Sequence, residues 1–135
     1  GSTFTVADTI SGGNGTDTVT ISSSGTSNSI SAVTITEVET LKVIDAATTK
    51  TTIDALSFSG LSTLKVEGST GTELQIDNLG NIVALELTSN LGSGDIVDIN
   101  YSAAATTGSA DAQTITTNSS AATVELAGME SASSS

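Results

Sequence analysis

Thr40-Leu41-Lys42-Val43 recurs as Thr63-Leu64-Lys65-Val66 and, in degraded form, as Ala84-Leu85-Glu86-Leu87, at steps of 23 and 21 residues. A second series keeps time with it: Ile30-Ser31-Ala32-Val33, Ile53-Asp54-Ala55-Leu56, Ile76-Asp77-Asn78-Leu79 and Val97-Asp98-Ile99-Asn100 follow at steps of 23, 23 and 21. Two interleaved series of short apolar segments with one shared period are the signature of a solenoid, in which each repeat buries its apolar face only against its neighbours. The expected fold is all-β, a parallel β-solenoid (β-helix or β-roll) with coils of about 22 residues and at least two strands per coil. Further along, Gln113-Thr114-Ile115-Thr116 echoes Asp17-Thr18-Val19-Thr20, and Val124-Glu125-Leu126 echoes Val33-Thr34-Ile35. That brings the expected count to five coils.

Alternation within the repeats says which way the side chains point. Leu41/Val43, Leu64/Val66 and Leu85/Leu87 take the inward phase, and Lys42, Lys65 and Glu86 the outward phase between them. Stacked coils would pile the aliphatic residues into continuous inner ladders. Aromatic residues are limited to Phe4, Phe58 and Tyr101, which suits a narrow interior better than a sandwich core. Serine and threonine make up roughly a third of the chain and favour strands, turns and caps over helix interiors. Proline is absent, in keeping with strands whose every amide is needed in a ladder. Disorder is the competing expectation for so polar a chain, and the repeated aliphatic phases argue against it, with Ala103 to Gly108 and the tail left as candidate loose segments.

One turn carries chemistry. Gly12-Gly13-Asn14-Gly15-Thr16-Asp17-Thr18-Val19-Thr20 fills every fixed place of the nonapeptide G-G-x-G-x-D-x-U-x. The glycines let the backbone turn with positive φ and bring carbonyl oxygens inward, Asp17 adds a hard anionic oxygen, and Val19 opens a buried strand. Nine residues upstream, Ala7-Asp8-Thr9-Ile10-Ser11 repeats the Asp-x-apolar phase without the glycines. The candidate Ca2+ ligands are therefore Gly12, Asn14, Gly15 and Asp17, with Asp8. A second glycine-acid turn, Gly92-Ser93-Gly94-Asp95, has the residue types of a degenerate calcium loop and adds Asp95.

The nonapeptide resembles the RTX proteins exported by bacteria. The surrounding style, Glu37-Val38-Glu39-Thr40-Leu41-Lys42-Val43 followed by long Ser/Thr/Ala stretches, is similar to the surface-layer (S-layer) proteins and large surface adhesins that carry RTX repeats. The resemblance implies calcium-ordered rolls, type I secretion and assembly on the outer cell surface. Its sharp motif covers only residues 7 to 20, and an ordinary hairpin turn is the alternative reading of the same residues.

Composition narrows the partners. Fifteen acids stand against three lysines, for a formal charge of −12, so nucleic acid is not expected as a partner, anionic membrane is a poor one and divalent cations are favoured. Cysteine is absent, so rigidity must come from another source than disulfides, and calcium can supply it. No apolar run reaches the roughly 20 residues that span a bilayer, so membrane insertion is not expected. Gly1-Ser2 reads as a cloning remnant, and residues 130 to 135 as a tail. One solenoid module cut from a longer surface protein is expected.

In the repeat alignment Asp54, Asp77 and Asp98 fall at one position of three consecutive coils, about 4.8 Å apart. Such a column either faces solvent or binds a cation. Histidine, cysteine and arginine are missing, which removes the common nucleophile-base triads and transition-metal sites and points to a protein that is not an enzyme. Paired carboxylates could serve glycoside hydrolysis, but the chain lacks long loops and aromatic platforms for sugars. The sequons Asn14-Gly15-Thr16 and Asn118-Ser119-Ser120 permit glycosylation. The expected function is a calcium-dependent scaffold of a bacterial cell-surface layer, extracellular, self-associating as lattice or fibre and touching cell-surface polysaccharide. Alternatives are an adhesin stalk and a non-catalytic β-helical part of a secreted polysaccharide-active enzyme.

Overall fold

A computed structural model of the chain describes residues 7–26, 28–31, 33–68, 73–88, 90–107, 111–118 and 120–128. Twelve strands are found among them: β1 (Thr9–Ser11), β2 (Thr18–Gly25), β3 (Asn28–Ile30), β4 (Thr34–Thr36), β5 (Thr40–Ala47), β6 (Lys50–Asp54), β7 (Thr63–Glu67), β8 (Glu73–Leu79), β9 (Ala84–Leu87), β10 (Ile96–Tyr101), β11 (Ile115–Thr117) and β12 (Thr123–Ala127). They form two five-stranded parallel sheets, in the orders β2-β5-β7-β9-β11 and β3-β6-β8-β10-β12, and a two-stranded sheet of β1 and β4. The chain is thus a parallel β-solenoid of about five turns, with turns about 23 residues apart. The first two coils have a third face, β1 on β4, and the third coil keeps only the bridge of Phe58 to Ile35 there. The tail from 130 to 135 and Phe4 lie outside the described residues.

The first repeat series stacks in the expected register: Leu41 on Leu64 on Leu85, with Lys42 on Lys65 on Glu86 outside. Val19 and Ile115 extend the same file at its two ends. Within it Leu41, Leu64 and Leu85 are at most 2% exposed, whereas Ile115 is 41% exposed. The outward lysines are neutralised by acids of the next coil, Lys42 with Glu67 at 2.9 Å and Lys65 with Glu86 at 3.4 Å. Lys50 on the other sheet pairs with Glu73 at 2.7 Å.

The second series holds through its first three members, Ile30 on Ile53 on Ile76, and then slips. Ile99 rather than Val97 stacks on Ile76, and Val97 lies on Leu74. A slip of two residues keeps every side chain on its own face, so alternation cannot detect it. The expected Asp54-Asp77-Asp98 column is corrected accordingly: Asp54 and Asp77 are neighbours, while Asp98 sits beside Gln75. The slip sets an amide where a third carboxylate was expected, since Asn100 donates from Nδ2 to Asp77 at 2.9 Å and to Asp98 at 3.3 Å. Asn78 and Gln75 bring further amides to Asp54 and Asp77, at 3.0 and 2.7 Å.

Two more expectations change near the end. Val124 stacks on Val97 in the second large sheet and is no counterpart of Val33. The last step, from Leu85 to Ile115, is 30 residues, because the chain between β10 and β11 carries an extra excursion. The described part of the segment expected to be loose, 103 to 107, includes a turn closed by the Ala105 amide on the Ser102 carbonyl (2.9 Å) and tied to the last coil by Thr106 Oγ1 on the Gly128 carbonyl (2.7 Å). Buried Tyr101 donates its hydroxyl to Gln113 Oε1, and Gln113 Nε2 donates to the Val83 carbonyl at 2.6 Å. Burial pushes the Tyr101 hydroxyl above its ordinary pKa, against a smaller lowering by the Val83 backbone.

Candidate functional site

The nonapeptide forms the corner between β1 and β2 in the first coil. Its first glycine is dictated by crowding. A Cβ on Gly12 would overlap the Glu37 carbonyl oxygen and stand 2.7 Å from the Asp17 Cβ, so only a glycine lets the corner close over the next coil. The Gly12 amide donates to the Thr36 carbonyl at 3.0 Å, and the Thr40 amide to the Asp17 carbonyl at 3.0 Å, so both ends of the turn are fastened to the second coil.

That second coil brings two acids that the motif did not announce. The Asp17 amide donates to Glu39 Oε2 at 2.8 Å, and Ser11 Oγ donates to Glu37 Oε2 at 2.7 Å. Glu37 is left-handed, with φ of 54°, a costly conformation for a residue with a side chain. Asp17 Oδ2 is buried and has no hydrogen-bond partner. A buried carboxylate oxygen left bare calls for an ion or a water. A carboxylate is the hard oxygen donor that calcium prefers. The residue that would hold it is Asp17; Glu39 and Glu37 of the next coil already accept the Asp17 amide and the Ser11 hydroxyl. Among the described residues no group of three or more acids is placed to hold a metal ion. Glu39 was readable in advance, since it lies one coil after Asp17 in the register that pairs Thr18 with Thr40.

The other candidates stand elsewhere. Asp8 precedes β1, is half-buried, and its carbonyl accepts the Thr34 amide at 3.0 Å. Asn14 is exposed at the tip of the turn. Asp95 is buried, and its Oδ2 accepts the Gly92 amide at 2.6 Å, so this carboxylate closes its own turn.

A buried polar group lies in the interior, at the end of β5. Asp45 is 1% exposed, and its Oδ1 accepts Ser23 Oγ, Thr51 Oγ1 (2.9 Å) and the Ala47 amide (3.1 Å). Its Oδ2 is buried without a partner. The signal was present in the alternation, because Asp45 follows Leu41 and Val43 in the inward phase. Compared with protein-family models, curated proteins and solved structures, the chain matches none.

Proposed function

We propose that the chain is a non-catalytic, calcium-dependent scaffold and assembly module of a bacterial surface layer, exported and working outside the cell. The bare Asp17 Oδ2 at the Gly12–Asp17 corner carries this reading, because it is the atom a divalent cation would satisfy. A cation there would satisfy Asp17 at the corner that is fastened to the second coil through the Thr36 carbonyl, the Thr40 amide and Glu39, and so steady the end of the stack. The charge balance supports it. All three lysines are spent on Glu67, Glu73 and Glu86, which leaves the net charge of −12 uncompensated by the protein itself. Self-repulsion of that size opposes close packing of copies, and bridging divalent ions relieve it. A surface polysaccharide is the anchoring partner this reading provides for.

Calorimetry in calcium and in chelator tests the reading. With free calcium about a hundredfold above Kd, binding to the folded state alone should add about 2.7 kcal/mol, and Asp17→Ala should abolish the gain. Sedimentation in the same two solutions should show larger species in calcium. Equal melting temperatures with and without calcium would refute the site. A calcium-stabilised chain that stays monomeric would instead favour an adhesin stalk.

A further inference from the structure

The Gly12–Asp17 turn contains the sole Asn-Gly dipeptide of the chain, Asn14-Gly15. Its surroundings differ from those of four other asparagines, while Asn90 and Asn118, exposed like it, precede Leu91 and Ser119 rather than a glycine. Asn28, Asn78, Asn81 and Asn100 each have their side-chain amide held, by the Ser24 carbonyl, Asp54, the Leu61 carbonyl and Asp77 respectively. Asn14 is exposed, and its amide makes no hydrogen bond among the described residues. The Gly15 amide nitrogen is equally free of main-chain partners there. Gly15 has φ of 133°, and the nearest atom a Cβ would meet is Asp17 Oδ2 at 3.9 Å, so nothing crowds the bond between the two residues.

From this we infer that Asn14 is a site of spontaneous, water-driven modification that turns a neutral amide into a carboxylate at the tip of the turn. The Gly15 backbone nitrogen attacks Asn14 Cγ and forms an N–Cγ bond. The Cγ–Nδ2 bond breaks, and ammonia leaves with the proton given up by the Gly15 nitrogen. Water then opens the cyclic imide at either carbonyl, to aspartate or isoaspartate. No electrons are transferred, and water is the co-reactant. Glycine at position 15 is what allows the ring to close, since it has no side chain to be pushed aside and reaches backbone angles barred to other residues. Either product adds a negative charge to the corner that holds Asp17, Glu37 and Glu39. The isoaspartyl form also lengthens the main chain within the turn. The inference does not depend on the cation reading, because the chemistry needs only the exposed dipeptide.

The whole chain, kept in chelator at mildly alkaline pH, is sampled over time by peptide mass mapping, with chromatography to separate aspartyl from isoaspartyl forms. Asn14 should convert first, ahead of the held Asn28, Asn78, Asn81 and Asn100 and also of the exposed Asn90 and Asn118, which lack a following glycine. Gly15→Ala should slow it by on the order of tenfold, the rate equivalent of a modest strain penalty. Asn14→Gln, which leaves the backbone unchanged, should remove the acidic product from that peptide. An intact Asn14 while a held asparagine converts overturns the inference, as does an unchanged rate in Gly15→Ala.

Discussion

The inner surface of this solenoid is built by two opposite rules. Along the middle of the first large sheet, Leu41, Leu64 and Leu85 stack in a dry file whose members are at most 2% exposed. Four residues further along the strand, the same inward phase carries Ser23 on Asp45, joined by Thr51 across the corner. The first file is held by apolar burial, worth about 25 cal/mol per Å2 removed from water, and its members need only to be aliphatic. The second is held by hydrogen bonds that converge on one carboxylate oxygen and leave the other bare. The difference teaches that alternation determines which residues face inward, whereas partners determine whether a polar residue can stay there.

The sharpest way to break the contrast is to put a carboxylate into the dry file. Leu64→Asp places an acid between Leu41 and Leu85 with no donor to meet it, and an uncompensated buried charge costs about 3–5 kcal/mol. Chemical denaturation should show the coil stack unfolded or destabilised by that amount. Lys65→Asp changes the next residue on the outer face, where the lysine meets Glu86 at 3.4 Å and both side chains are well solvated. Its cost should stay under about 1 kcal/mol, as for exposed ion pairs generally. Equal losses from the two would mean that the alternation is phased wrongly.

Asp45 offers the converse experiment. Asp45→Ala leaves Ser23 Oγ, Thr51 Oγ1 and the Ala47 amide without their common acceptor and should cost about 1–3 kcal/mol. Asp45→Asn keeps an oxygen in the accepting position and removes the buried charge, replacing the bare Oδ2 by a neutral group. It should fall within about 1 kcal/mol of the parent, on either side. If asparagine proves as damaging as alanine in a denaturant titration, the second carboxylate oxygen has a partner of its own, an ion being the first candidate.

Much of the fold was legible in the sequence because a solenoid repeats one local decision. The Thr-Leu-Lys-Val repeats set both the period and the facing of each strand, and the register Leu41-Leu64-Leu85 follows from aligning them. What could not be read is whatever alternation leaves degenerate. Val97 and Ile99 are both inward and both β-branched, so a slip of two residues is invisible until Asn100 is seen beside Asp77. The third face escaped notice because Thr9-Ile10-Ser11 and Thr34-Ile35-Thr36 are too short to announce a sheet. At the candidate site the nonapeptide named Gly12 and Asp17, but it is silent on Glu37 and Glu39, which belong to the neighbouring coil.

Tyr101 tests the weakest joint of the comparison, where a polar atom is buried near the far end of the stack. Its hydroxyl meets Gln113 Oε1 and links the fourth coil to the fifth. Burial raises its pKa in the folded state, so the folded chain holds the phenolic proton more firmly than the unfolded one. The contribution is fully present below the unfolded value of about 10 and is lost as pH rises through the folded pKa. Stability measured along an alkaline series should therefore begin to fall above about pH 10, and Tyr101→Phe should flatten that part of the profile. At neutral pH the same substitution should cost about 0.5–1.5 kcal/mol, the worth of one hydrogen bond, since the ring keeps its place and Gln113 keeps the Val83 carbonyl. An alkaline decline as steep in the phenylalanine variant as in the parent would show that the hydroxyl is not the group responsible.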